Sequence, residues 1–434
     1  MKIQVFQSDK GDCLLITGAD GKRVLADGGM RGSFSDHVAP SLSRIEKDGE
    51  SIDVVYVSHI DQDHIAGILK MADDLVAWKT FDFQKKSGNT RARKPQSLRP
   101  PEFKQVWNNA FHDQVGKNAD EIEDMLAAQA RALTLIPKDF AREAAANYAE
   151  IAHSKAEAVK LSRRLGTRQL GVPVNPEFNH GLMFVTDPPE AIKVGGMNFT
   201  VIGPFSEELD KLRDEWNDWL RSRKGQRAIA KIRRDQTRDE DRLHASAVDE
   251  TLSVLLAQAS HLGDRNDVSL PNLASLMFYL EEDGKSVLLT GDGHWQDILD
   301  GLESTGIVAE GEGLHVDILK VQHHGSEHNW HHDFGKRVTA DHYVFCGNGA
   351  SGNPEPAVVD AVLDSRIGRS SQRSTNPETD NPFKLWFNCS SDVAKPNYEP
   401  HMKKVEKILQ TAESRNPTKL KSFFLKGSSF SIDL

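Results

Sequence analysis

The sequence predicts a layered α/β fold interrupted by two helical insertions, and three observations lead there. Short apolar runs such as Val54-Val55-Tyr56-Val57 have strand length and end in turns crowded with histidine, aspartate or glycine. Helical spacing follows some of these turns, as in Ile65-Ala66-Gly67-Ile68-Leu69. Two long stretches, 73–188 and 207–262, change character, becoming charged and helical in spacing, so they read as insertions into a strand-rich scaffold. The chain, 1–434, is taken as one domain that carries both.

Each element has its own warrant. Ile3–Phe6, Cys13–Ile16 and Arg23–Ala26, with a turn at Asp20-Gly21, give a β-meander. Residues 53–70 read as a buried strand, a ligand-rich turn and a helix beginning near Asp63. The stretch 85–101 is basic and loop-like, and Asn118 to Leu165 is Ala/Glu/Arg-rich with helical spacing, divided by Pro137. A strand at Met197–Ile202 breaks at Gly203-Pro204. The segments 273–280 and 285–290 flank Glu282-Asp283-Gly284, a hairpin signal. Further strands fit 316–321, 342–346, 384–387 and 423–432; helices fit 295–303, 356–364 and 401–412.

Composition narrows the function. Hydrophobic residues make up 38% and charged residues 27%, and mean hydropathy is −0.51, values of a soluble globular protein. No run has the apolar length of a membrane span, and the N-terminus enters a strand pattern without a signal-peptide profile, so a cytoplasmic location is expected and no membrane partner. Cys13, Cys346 and Cys389 are far apart and form no C-x-x-C pair, which suits reduced thiols. The net charge of −10 argues against whole-surface nucleic-acid binding. Two basic clusters, Lys85 to Lys104 and Arg221 to Arg234, could still follow a phosphate backbone, or be solvated surface.

The chemistry concentrates in Ser58-His59-Ile60-Asp61-Gln62-Asp63-His64. Four potential ligands in six residues after a strand can project to two sides of a turn, His59 with Asp61 and Asp63 with His64, and so feed two neighbouring cations. Helix capping would explain one aspartate and leave the rest without a purpose. Two later strand ends add candidates. In Thr290-Gly291-Asp292-Gly293 a carboxylate between glycines can approach or bridge cations. In Gln322-His323-His324-Gly325-Ser326 a strand delivers tandem imidazoles to a glycine turn; His328, His331 and His332 read as surface. Asp27, in Asp27-Gly28-Gly29, suits orienting a ligand histidine.

Together with Gly11-Asp12 and Gly67, these motifs resemble the metallo-β-lactamase superfamily, and within it the branch containing the metallohydrolase domain of ComEC-type DNA-uptake proteins. The resemblance runs from Met1 to about Glu355 and implies an αββα sandwich. It also implies one or two divalent ions, Zn²⁺, Mn²⁺ or Mg²⁺, on His59, Asp61, Asp63, His64, Asp292 and His323 or His324. Asp61 stands where the commoner H-x-H-x-D-H signature has histidine, which hardens that half toward Mn²⁺ or Mg²⁺. The histidine expected after Gly203-Pro204 is absent, and Gly352-Asn353-Pro354 replaces a Gly-His-Pro, so the His59 half is expected to be the looser one.

A metal-dependent phosphodiesterase or nuclease is the expected activity, with nucleic acid as substrate. Asp63 or Asp292 would orient the nucleophile, and the tandem histidine that is not a ligand, taken as His324, would act with Ser326 and Asn353 on the phosphate or leaving group. Two alternatives stand beside it: a hydrolase of a small molecule or cyclic nucleotide, and a non-catalytic interaction protein of an antiphage module that binds a protein partner through its helical insertions.

Overall fold

The structure, a computed structural model, describes residues 1–109, 157, 161, 164–166, 169–189, 191–207, 209 and 274–434. The chain first lays down β1 (Lys2–Phe6), β2 (Leu14–Thr17) and β3 (Arg23–Ala26), an antiparallel meander. A helical run from Arg31 passes through a π-turn at Phe34–Val38 into α1 (Ala39–Lys47). Then come β4 (Ile52–Tyr56), α2 (Gln62–Lys86) and β5 (Phe103–Trp107). β4 runs parallel to β3 and β5 parallel to β4.

A second sheet follows. It opens with β6 (Ala191–Val194), β7 (Met197–Gly203), β8 (Met277–Glu282) and β9 (Lys285–Leu289), all antiparallel. It continues through α3 (Trp295–Ser304), β10 (Leu314–Lys320), α4 (His332–Arg337), β11 (Val338–Phe345), α5 (Pro356–Ile367), β12 (Phe383–Phe387), α6 (Glu399–Arg415) and β13 (Leu420–Phe424), where the strands are parallel. The last strand, β14 (Ser429–Asp433), returns to the first sheet beside β1. The orders are β14-β1-β2-β3-β4-β5 and β13-β12-β11-β10-β9-β8-β7-β6.

Three apolar cores make this an αββα sandwich. Ile3, Val5, Leu14 and Ile16 of one sheet meet Phe199, Phe278, Val287, Ile318 and Val344 of the other. Leu25, Val55, Leu42, Ile65 and Ile68 bury α1 and α2 on the outer face of the first sheet, and Leu319, Phe345, Ile298, Val362 and Val405 do so for α3, α5 and α6 on the second. Each such side chain, fully withdrawn from water, contributes roughly 1.5–3 kcal/mol.

The hairpin expected at Glu282-Asp283-Gly284 forms, with Glu282 opposite Lys285 and positive φ at both Asp283 and Gly284, the geometry that matches strand twist. Four expectations change. Residues 423–432 are two strands in different sheets, because Lys426-Gly427-Ser428 breaks the run between β13 and β14. Within 73–188, α2 continues to Lys86 and 103–107 forms β5, whose Phe103, Val106 and Trp107 are buried. The helical run from Arg31 was unexpected, since Gly32, Ser33, Ser35 and Pro40 obscure the spacing of Phe34, Val38, Leu42 and Ile45. So was β6. The helices expected over 118–165 and 207–262 lie almost wholly outside the described residues. No helix among the described residues is long and apolar enough to cross a membrane, and all three cysteines are free and buried.

Candidate metal centre

Ends of strands from both sheets bring the site together. Asp27 follows β3, Ser58 and His59 follow β4, Asp292 follows β9, and His323 and His324 follow β10. Asp12 enters just before β2. The first turn of α2 supplies Asp63 and His64, and two backbone hydrogen bonds help to seat that turn: Gly28 N donates to His64 O at 2.8 Å and Gly67 N to Gly29 O at 3.0 Å. A Cβ on Gly67 would lie 2.0 Å from Gly28 O, so this approach needs glycine. Asp61 occupies the N-cap position of α2, yet its side chain makes no capping hydrogen bond. Capping therefore does not account for its carboxylate.

One oxygen is the hub. Asp292 Oδ2 lies 3.3 Å from His64 Nε2, 3.4 Å from His324 Nε2, and 3.7 Å from both His59 Nε2 and His323 Nε2. Asp63 Oδ2 is 3.4 Å from His324 Nε2, and Asp61 Oδ2 is 3.6 Å from His59 Nε2. These separations are long for hydrogen bonds, which fall at about 2.7–3.2 Å. They match the edge of a coordination tetrahedron, roughly 3.3 Å when metal–ligand bonds are about 2.0–2.1 Å. His59 Nε2, His64 Nε2 and His324 Nε2 are buried with no hydrogen-bond partner among the described residues. Buried polar atoms left unpaired at one point, each with a lone pair to give, fit a divalent cation.

The other ring nitrogens are held from behind. His64 Nδ1 lies 2.8 Å from Asp27 Oδ2, and the same carboxylate accepts from Ser58 N at 2.8 Å and Ser58 Oγ at 2.7 Å. His324 Nδ1 lies 3.1 Å from Asp12 Oδ1, and Asp12 Oδ2 pairs with the ammonium of Lys320. His323 Nδ1 is 2.6 Å from Asn329 Oδ1. Such contacts fix ring orientation and leave Nε2 for a cation. Asp12, His64, Asp292 and His324 can each present an atom within 4.8 Å of all the others, a candidate metal cluster. Because both Asp12 oxygens are engaged by His324 and Lys320, we assign Asp12 to orienting and not to the cation.

Residues 9–77 match the sequence model of the Metallo-beta-lactamase superfamily. The match includes Asp12, Asp27 and the whole of His59 to His64. The two sheets and their flanking helices are consistent with the metallo-β-lactamase sandwich. Among solved structures the chain is similar to a mutant of CmlA beta-hydroxylase, with 10% identity and a TM-score of 0.32, over 99% of this chain and 54% of that one. The chain thus spans about half the length of that protein. No curated protein matches it.

In the matched segment and the residues that meet it, charge is arranged to favour a cation. Burial opposes ionisation of Asp292 and Asp63, but His324 and His64 hold both carboxyls below the usual range. Burial likewise opposes the imidazolium, yet Asp292 with Asp27 raises His64, and Asp292 with Asp12 raises His324, well above the usual value. Lys320, also buried, is kept charged by Asp12 and Asp292 and donates to Gly291 O at 2.8 Å. The backbone carries strain: His323 and His324 have φ of 45° and 57°, and left-handed positions outside glycine cost roughly 1–3 kcal/mol each.

The remaining expected residues sit close by. Ser326 is buried, its N–H donating to His323 O at 2.9 Å. Asn353 Nδ2 lies 3.4 Å from His323 O, so it touches the turn's main chain. His331 caps α4 and stacks on Trp295 at 4.7 Å. Lys85 and Lys86 end α2, a 25-residue helix about 37 Å long whose first turn holds Asp63 and His64. Arg99 pairs with Asp82 and Glu46, and Lys104 with Asp53. The cluster 221–234 lies outside the described residues. Lys320 and Asn329 were not foreseen; a lysine inside the apolar run Ile318-Leu319-Lys320-Val321 was the available signal.

Proposed function

We propose that the chain is a metal-dependent hydrolase that cleaves phosphodiesters, with nucleic acid as the leading substrate class. The convergence of four imidazole Nε2 atoms on Asp292 Oδ2 carries this reading. Divalent cations bound there supply Lewis acidity toward the phosphate and an activated water. The chain's own residues do the rest. Asp27 and Asp12 keep His64 and His324 aimed inward, Asp63 and Asp292 carry the negative charge that retains cations, and Lys320 balances the pair behind them. Water adds across the P–O bond, leaving one product with the phosphate and the other with the hydroxyl. The nucleic-acid preference is supported by the likeness of His323-His324-Gly325-Ser326 and its companion motifs to the ComEC-type branch.

A second reading, a small phosphodiester or ester substrate, is favoured by the position of Lys85 and Lys86 at the far end of α2. One panel separates them: single- and double-stranded DNA, RNA, cyclic nucleotides and simple esters, each with Mn²⁺, Zn²⁺ or Mg²⁺, beside an Asp63→Ala, His64→Ala double variant. Metal-dependent cleavage of polymers, absent from the variant, is expected. Equal residual activity of both proteins on every substrate ends the hydrolase reading, and turnover of small substrates alone moves it to the second.

A further inference from the structure

We infer that the tandem His323-His324 serves both halves of the centre, with His323 supplying the His59–Asp61 half in place of a histidine directly after Gly203-Pro204. The inference rests on the metal-dependent reading above and adds which residues complete each half. The His59 side offers His59, Asp61 and the shared Asp292, and the chain leaves β7 through Pro204-Phe205-Ser206 without an imidazole. Of these three only His59 brings a nitrogen, whereas a nitrogen-rich cation site draws most of its protein ligands from imidazoles.

His324 is committed to the other side. It lies 3.4 Å from both Asp63 Oδ2 and Asp292 Oδ2 and belongs to the compact group with His64. His323 stands outside that group, yet its Nε2 reaches Asp292 Oδ2 at 3.7 Å, the same distance as His59 Nε2. Two left-handed residues in succession splay the rings, which sit 5.8 Å apart at 65°, so neighbours in sequence point to different positions about one oxygen.

The support behind His323 is built for aim. Asn329 is fully buried, receives His323 Nδ1 at 2.6 Å, and spends its own Nδ2 on Asp292 O at 2.8 Å and Gly293 O at 3.2 Å. It ties the imidazole to the loop that carries Asp292. A histidine merely covering the rim would need no such tie. His323 also keeps 28% of its side chain exposed, so it reaches Asp292 from the solvent side.

The test is metal content, which is read without turnover. Wild type, His323→Ala and Asn329→Leu are titrated with Co²⁺, followed by the visible ligand-field bands and by elemental analysis after desalting. Wild type should hold two ions. His323→Ala should keep one and bind the second at least tenfold more weakly, and Asn329→Leu should weaken the second by about 10–100-fold with the ring present. His323→Gln gives the same readout if the alanine variant fails to fold by circular dichroism. Two ions of unchanged affinity in the His323 variants would overturn the inference, as would a wild type that binds one ion unaffected by them. A catalytically inert wild type with two ions, one lost in the variants, would sustain this inference while ending the hydrolase reading.

Discussion

Asp292 presents two oxygens to different company: Oδ2 faces four imidazoles, and Oδ1 lies 3.7 Å from the Lys320 ammonium. Lys320 is 2% exposed, so its charge is unscreened, and Lys320→Met removes the ammonium that Asp12 and Asp292 share, leaving them to the imidazoles alone. Breaking such a buried pair costs about 3–5 kcal/mol, so urea unfolding of the metal-free variant should show a loss of that size; a change below about 1 kcal/mol would contradict this role. Asp27→Asn keeps the shape behind His64 and removes the charge. Metal affinity should fall about 10–100-fold, with little change in far-ultraviolet circular dichroism. The ligand-rich turn was visible in sequence because its residue types have few other uses together. Asn329 was not, since an asparagine that orients an imidazole looks like any asparagine until the turn brings Nδ1 to it.

At the scale of elements, the seat of α2 is a contact between two glycines, with Gly67 and Gly28 too close for any side chain. Gly67→Ala should lower stability by at least 1–3 kcal/mol and reduce metal content together, because the strain falls where His64 is positioned. Gly32→Ala, where a Cβ meets nothing within 4 Å, is the matched control and should stay near wild type in a thermal melt. Elements whose spacing repeats cleanly were legible: the meander, the hairpin at Asp283-Gly284, and the helices after β9, β11 and β12. The failures have local causes. β5 is only Phe103–Trp107 and sits among proline and basic residues, and the run ending in β14 spans two sheets, which periodicity does not distinguish.

For the whole molecule, the centre joins the two sheets, so cation binding should act on global stability. A chelator should lower the melting temperature, and excess Zn²⁺ or Mn²⁺ should raise it by an amount that grows with the logarithm of concentration; a melt indifferent to both would refute this. The pH dependence has a definite sign. In the metal-free protein His64 and His324 lie above their unfolded values near 6.5, so their contribution is full below that pH and is lost as pH rises through the folded values. Asp63 and Asp292 lie below theirs, so their contribution is present above about pH 4 and is lost on acidification. Cation binding needs the Nε2 lone pairs and should release protons at neutral pH, seen as a calorimetric heat that changes with buffer ionisation enthalpy. Heat independent of buffer would count against it. The division of ligands between sheets also sets a timetable. His64 is synthesised about 230 residues before Asp292 and about 260 before His324. At about 5–20 residues per second, this leaves the emerging chain with half a ligand set for roughly 10–50 seconds. A cation at this centre would find its full ligand set only after the sandwich has closed.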